Sequence, residues 1–276
     1  MKKIFLLSLF FLSTFFCFYK NMKRLAFIIF SLAVLLFPIT VAFSQSIYSE
    51  ISCDCIYNPN NDSLFFNKLE LKDYSDSISH YEYLYGENKI IPSEIKEMVL
   101  VALSFFPEFA ETNIVFEYKS IKQTMNARPF VSNIFKRKTN RKYKIIINDN
   151  QGKHKGLPIE KLSFNIVVGW LAHELAHIVV YEKMTNPQII SFAVKYLTSN
   201  RYNRMVERYT DFLTIKHGLA YPLYDGVEYL LNDDTISEDY KNKIRENYLT
   251  LDEIKCFWQQ IFIDSLEVKP ANNKAE

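Results

Sequence analysis

The chain has 276 residues, 49% of them hydrophobic and 23% charged, with a formal net charge of +2. These are the proportions of a globular protein of one or two domains with a sizeable core. The first 44 residues hold five basic groups (Lys2, Lys3, Lys20, Lys23, Arg24) and no acidic one. That leaves 28 of the 33 basic residues against all 31 acidic ones, a net of −3 for the remainder, which speaks against a nucleic-acid-binding class.

Residues 1–44 read as a targeting region. Two apolar runs, Ile4–Tyr19 and Leu25–Phe43, flank the basic segment Lys20-Asn-Met-Lys-Arg24. From Met22 onward the pattern is that of a secretory signal peptide, ending in the small-x-small site Ala42-Phe43-Ser44. Cleavage after Ser44 is the favoured reading, with Met22 as an alternative start. A retained membrane anchor is the rival, because the second run is almost long enough to span a bilayer. In both cases the basic flank precedes the run, so the body is expected on the outer side of the membrane, exported to a periplasmic or extracellular location. Cys17 follows Thr-Phe-Phe and lacks the small residue of a lipidation site. Of the other cysteines, Cys53 or Cys55 could bridge to Cys256 in an oxidising compartment, leaving one thiol over.

Residues 45–92 are polar and turn-rich, and read as an irregular lead-in with one short strand near Phe65–Leu71. Pro92-Ser93 opens a helix from Glu94 to about Phe106, with Ile95, Met98, Val99, Ala102 and Leu103 on one side and Pro107 as its stop. Ile114–Tyr118 alternates and predicts a strand. Pro129–Phe135 is a second strand candidate and Tyr143–Ile147 the clearest one. A long apolar helix follows, from Ser163 or Asn165 to Lys183. Asn186-Pro187 starts another, ending near Ser199-Asn200. The next runs from about Arg201 to His217, with Gly218 as C-terminal cap. Ser237-Glu-Asp opens a further helix, and Thr250-Leu-Asp-Glu253 is a capping box for one more. The order predicts an α+β fold: a small mixed sheet with helices above the long apolar helix, and an all-helical lower half.

Inside that apolar helix lies His173-Glu174-Leu175-Ala176-His177, between Ile166-Val-Val-Gly-Trp-Leu-Ala and Ile178-Val-Val. Burying an unpaired polar group costs roughly 2–7 kcal/mol, and a charge more, so ionisable residues here need a reason. A bound cation supplies one. Histidines four apart leave the same helix face and can grip one Zn²⁺, with Glu174 beside them as general base. The bland alternative is a core helix whose histidines make ordinary hydrogen bonds; two of the chain's five histidines falling in one turn argue for the metal.

Two histidines do not complete a catalytic zinc site, which takes three protein ligands and an open position. Val180 and Lys183 stand where the extended motif HExxHxxGxxH needs Gly and His, which excludes metzincins. Glu207-Arg-Tyr-Thr-Asp211, thirty positions past His177, offers two carboxylates on one helix face. Glu207 could ligate zinc and Asp211 could hold a histidine tautomer. The bland reading is a solvated face paired with Arg204 and Arg208. Glu182 and Glu228 are the runners-up as third ligand.

The HExxH and ExxxD pair resembles the gluzincin zinc metallopeptidases, and the order of elements over residues 93–218 is similar to their small catalytic core. The resemblance implies His173, His177 and Glu207 as zinc ligands, Glu174 as base and Asp211 as the partner of His173. It implies a zincin-like catalytic domain over 93–276, with an upper α+β part (93–184) and a helical lower part (185–276). It also implies a peptide or protein substrate, laid along the strand before the motif helix, here Tyr143–Ile147; a buried structural strand is the plain alternative. No motif fixes the residue over the substrate carbonyl, for which His217, Tyr221 and Tyr224 are candidates. The rival class is a non-catalytic secreted or surface binding protein that keeps the fold.

Overall fold

A computed structural model describes residues 57–133, 136–137, 140–149, 157 and 159–267. The expectations for residues 1–44 and for Cys53 and Cys55 lie outside the described residues.

The lead-in is more ordered than its polarity predicts. A short helix α1 (Asp62–Phe65) is followed by 3-10 turns, helix α2 (Ile78–Tyr85) and the two-residue strand β1 (Lys89–Ile90). The strand expected at Phe65–Leu71 is absent. The Leu69 N–H donates to the Asn165 side chain at 3.0 Å rather than to a ladder, and Phe65 and Leu69 turn into the core. Asn165 also donates to Asp225 Oδ2 at 2.7 Å, so one buried amide pins the lead-in to two later helices.

Helix α3 (Lys96–Ser104) and strand β2 (Asn113–Lys119) stand where expected. Strand β3 is Met125–Pro129, earlier than the predicted Pro129–Phe135. Pro129 lacks an N–H and closes the ladder, and Val131–Asn133 turns as a 3-10 helix. Strand β4 (Lys142–Asn148) contains the three consecutive isoleucines. The sheet order is β1-β2-β4-β3; β3 runs antiparallel to β4 and the other pairings are parallel. β4 is therefore paired on both sides and has no edge to offer a peptide, so the structural reading of Tyr143–Ile147 is the one the fold supports. Among the described residues the edge beyond β4 is β3.

Helix α4 (Phe164–Glu182) carries the motif. Ser163 caps it by accepting from the Ile166 N–H. By length and composition α4 could cross a membrane, but 89% of its most apolar window is buried inside the protein, against β3, α3 and the helices that follow. At its end the buried Arg141 guanidinium donates to Tyr181 O in the last turn at 3.2 Å and to Met184 O just past the helix at 2.7 Å. A cation at a helix C-terminus satisfies both the orphan acceptors and the dipole.

The rest of the described chain is helical: α5 (Asn186–Thr198), α6 (Asn200–Lys216), α7 (Ala220–Asn232), α8 (Glu238–Asn247) and α9 (Leu251–Glu267). Gly218, at φ +88°, ends α6 as predicted. Thr250 and Glu253 exchange backbone bonds as a capping box at the start of α9. Helices α2 and α7 were not foreseen. α7 packs on α4 at Gly169, where an added Cβ would lie 2.4 Å from the Pro222 carbonyl oxygen. The observed class is thus α+β, a four-stranded mixed sheet followed by a helical half. Cys256, buried on α9, is disulfide-bonded.

Candidate metal centre

The spacing on α4 sends both imidazoles from one face, with ring centroids 4.9 Å apart. Helix α6 crosses that face and brings Glu207 to it. His173 Nε2 lies 3.2 Å and His177 Nε2 3.5 Å from the same oxygen, Glu207 Oε2. All three residues are buried, and one donor atom from each lies within 4.8 Å of the others. Four ligands arranged tetrahedrally at ~2.0–2.2 Å from Zn²⁺ stand ~3.3–3.6 Å from one another. The two imidazole–carboxylate separations fit that spacing.

The surrounding hydrogen bonds fix which atoms face the centre. His173 Nδ1–H donates to Asp211 Oδ1 at 2.8 Å. Asp211 Oδ2 accepts from the Leu249 N–H at 2.9 Å, so the carboxylate is fully engaged. Thr210 gives its hydroxyl proton to Val206 O at 2.8 Å and therefore accepts from His177 Nδ1–H, 3.3 Å away. Tyr196, on α5, donates its hydroxyl to Glu207 Oε1. Each of the three residues is thus oriented through its other polar atom. With both rings neutral in these tautomers, two imidazole lone pairs and one carboxylate oxygen face the centre; with His173 protonated, its Nε2–H donates to Glu207 Oε2. Such a cluster could hold a metal ion.

Electrostatics agree. Burial opposes a charged His173, but hydrogen bonds to Asp211 and Glu207, and their charge, hold its pKa well above the ordinary 6.5. Burial likewise opposes ionisation of Glu207, yet the two imidazoles hold its carboxyl far below the usual range. The cluster binds positive charge tightly, as a proton or as a metal ion.

Glu174 lies beside this group. Its Oε2 accepts from the Ala127 N–H of β3 at 2.5 Å. Burial raises its carboxyl above the ordinary 4.5, partly offset by both histidines and that N–H. Ala127 O accepts from Tyr181 at 3.3 Å, so the open edge of β3 faces α4.

A cavity of about 640 Å³ opens onto the centre. Its walls include Thr124, Met125 and Asn126 from the β3 side, Trp170 from α4, Leu197 and Arg204 from the α5 and α6 side, and Tyr240, Ile244 and Tyr248 from α8 and its C-cap. The Tyr248 ring centroid is 5.7 Å from that of His173. Among the described residues its hydroxyl has no hydrogen-bond partner, and burial, with Glu207 nearby, keeps it protonated.

His217, Tyr221 and Tyr224 are not brought to this cavity. His217 stacks on Phe106 and reaches Glu108 at 3.0 Å. Tyr221 and Tyr224 pack against Phe65 and Phe66. Of the alternative third ligands, Glu182 pairs with Thr112 and Glu228 with Tyr224. Arg208, which the bland reading paired with Asp211, instead forks onto Glu253. Sequence reasoning missed Thr210, Tyr196 and Tyr248, whose roles arise only where elements meet; Thr210, between Glu207 and Asp211 on the same helix, carried the one local signal. No protein-family model, curated protein or solved structure matches the chain.

Proposed function

We propose that this chain is a zinc-dependent peptidase of the gluzincin kind, exported and acting on peptide or protein substrates outside the cytoplasm. The observation that carries the reading is the three-acceptor centre with Glu174 beside it at the floor of an open cavity. A His₂Glu set of imidazole and carboxylate donors suits Zn²⁺. Bound there, the ion supplies a Lewis acid that polarises a carbonyl and acidifies water. Glu174 takes the proton of the attacking water and later delivers it to the leaving amine. The Ala127 N–H holds this carboxylate in place. Tyr248 donates a hydrogen bond toward the carbonyl oxygen as negative charge develops on it. The substrate lies extended along β3. Backbone groups alternate in direction along an antiparallel strand, so Met125, two residues from Ala127, directs its own toward the cavity.

The rival is a binding protein that keeps the centre without catalysis, and the intact Glu174 is the feature that argues against it. Exchange of Glu174 for Gln separates the two. Size and ligands are kept while the base is removed, so zinc content by elemental analysis should match the parent. Peptide hydrolysis should fall by about 10²–10⁴. His173→Ala and Glu207→Ala should lose metal and activity together. Full hydrolysis by Glu174→Gln would remove it as the base. A parent that holds zinc but cleaves nothing across peptide libraries would favour the binding protein.

A further inference from the structure

We propose that helix α5 docks its exposed face on an anionic membrane surface, next to the mouth of the cavity. A surface helix ordinarily opposes its apolar face with a charged one. α5 does not. Its inner side places Ile189 and Phe192 in the core and Tyr196 on Glu207. Its outer side carries Ile190, Val194 and Leu197, exposed by 43%, 58% and 82%. At about 100° per residue these three lie within about 60° of one another, on the solvent apex. The only charged residue in the helix is Lys195, half-buried at its flank, with Nζ 5.7 Å from the Tyr202 ring.

Along the sequence the charges on either side of this helix are of one sign, while Lys243 and Glu246 share the cavity wall with Leu197. From Lys183 to Val206 the sequence holds Lys183, Lys195, Arg201 and Arg204 and no acidic residue. The Asn186 side chain donates to Lys136 O at 3.2 Å, which sets exposed Lys136 and Arg137 by the N-terminal end of α5. An uncharged apolar apex on a stretch whose charged side chains are all basic, with Lys136 and Arg137 at the helix start, suits the interfacial zone of an anionic bilayer, acyl boundary against the apolar residues and headgroups against the cations. A second copy of the chain fits less well, since a two-fold interface would oppose these cations to themselves. Leu197 also lines the cavity, so docking sets the cavity mouth near headgroup level. The inference does not depend on peptidase activity.

Hydroxyl-radical footprinting of the full chain tests it, because it reads side-chain exposure residue by residue whatever the N-terminal runs do. The protein is compared alone, with vesicles of phosphatidylcholine, and with vesicles of phosphatidylcholine and phosphatidylglycerol. Oxidation of Ile190, Val194 and Leu197 should fall several-fold only with the anionic vesicles. It should recover at 1 M salt, where the Debye length shrinks to about 3 Å. Ile90, exposed on β1, should not change. Val194→Ser/Leu197→Ser, a surface change that leaves the core intact, should abolish the protection of Ile190. No protection with anionic vesicles, equal protection by both vesicle types, or protection without lipid that grows with protein concentration would each overturn the proposal.

Discussion

Replacing Asp211 by Asn probes the hydrogen-bond logic of the centre. Asp211 is fully buried and both its partners are donors, the His173 Nδ1–H and the Leu249 N–H. An amide of the same shape offers one acceptor and one donor. With its oxygen toward Leu249, its NH₂ faces His173 Nδ1, which must then accept. The ring proton moves to Nε2, the atom aimed at Glu207. With its oxygen toward His173, the NH₂ meets the Leu249 N–H and leaves a buried donor unpaired, at about 1–3 kcal/mol. The first arrangement blocks a ligand and the second loosens the chain beside Tyr248. Loss of such an outer partner lowers metal affinity about 10–100-fold, equivalent to about 1.4–2.8 kcal/mol. Competition of Zn²⁺ between the protein and a chromophoric chelator measures it, with urea titrations of the metal-free proteins alongside. A variant that matches the parent in both affinity and stability refutes the reasoning.

Other expected outcomes concern the frame. Phe65 is 1% exposed and packs edge-on against Tyr221, Tyr224 and Trp258, so Phe65→Ala should cost about 3–5 kcal/mol in urea unfolding. A loss below about 1 kcal/mol, within the range of surface changes, would mean that the lead-in merely rests on the core. Gly169→Ala should lower Tm although alanine favours a helix interior by about 1 kcal/mol, because its Cβ would meet Pro222; a raised Tm would contradict the close approach of α4 and α7. Burial disfavours ionised Glu253, but hydrogen bonds from Arg208 and Thr250 hold its carboxyl below the ordinary 4.5. A lowered folded value gives stability that is complete above the unfolded pKa and lost as pH falls through the folded one. The stability gap between parent and Glu253→Gln should therefore be constant near neutral pH and close on acidification below 4.5; a gap that widens there would reverse the assignment.

The motif helix was legible because its signals are local: one apolar run, two histidines at helical spacing and a capping serine at its start. Glu207 and Asp211 were legible as a pair on one face, but not as residues of a face that meets α4; that is settled by the packing of α6. The edge strand β3 was misplaced for a physical reason. Met-Asn-Ala-Arg-Pro has little β-propensity, and its pairing comes from β4 rather than from its own side chains. The lead-in misled in the opposite direction. Its short polar turns read as irregular chain, and Phe65 and Leu69, read as part of a strand, instead turn into the core and fasten it. The residues proposed over the carbonyl failed to reach the cavity because position in sequence beyond the ligand helix says little about direction. Tyr224 leaves α7 toward the aromatic cluster, whereas Tyr248 returns to His173 only because Leu249 is tied to Asp211.

Charge balance explains why so apolar a fold tolerates this cluster. With both imidazoles neutral, Glu207 and Asp211 contribute two negative charges among the groups in contact with the histidines. One proton on His173 cancels only one of them, whereas a divalent ion cancels both and meets all three inward-facing acceptors at once. Buried unpaired charges are among the largest penalties a fold can carry. On the proposed reading, metal binding should stabilise the native state relative to the unfolded chain, which lacks the preformed site. Glu174 is coupled to both histidines but is not one of the three inward-facing groups. Its carboxylate accepts from the Ala127 N–H of β3, and on the proposed reading it is this group that exchanges a proton with substrate between the sheet edge and the centre.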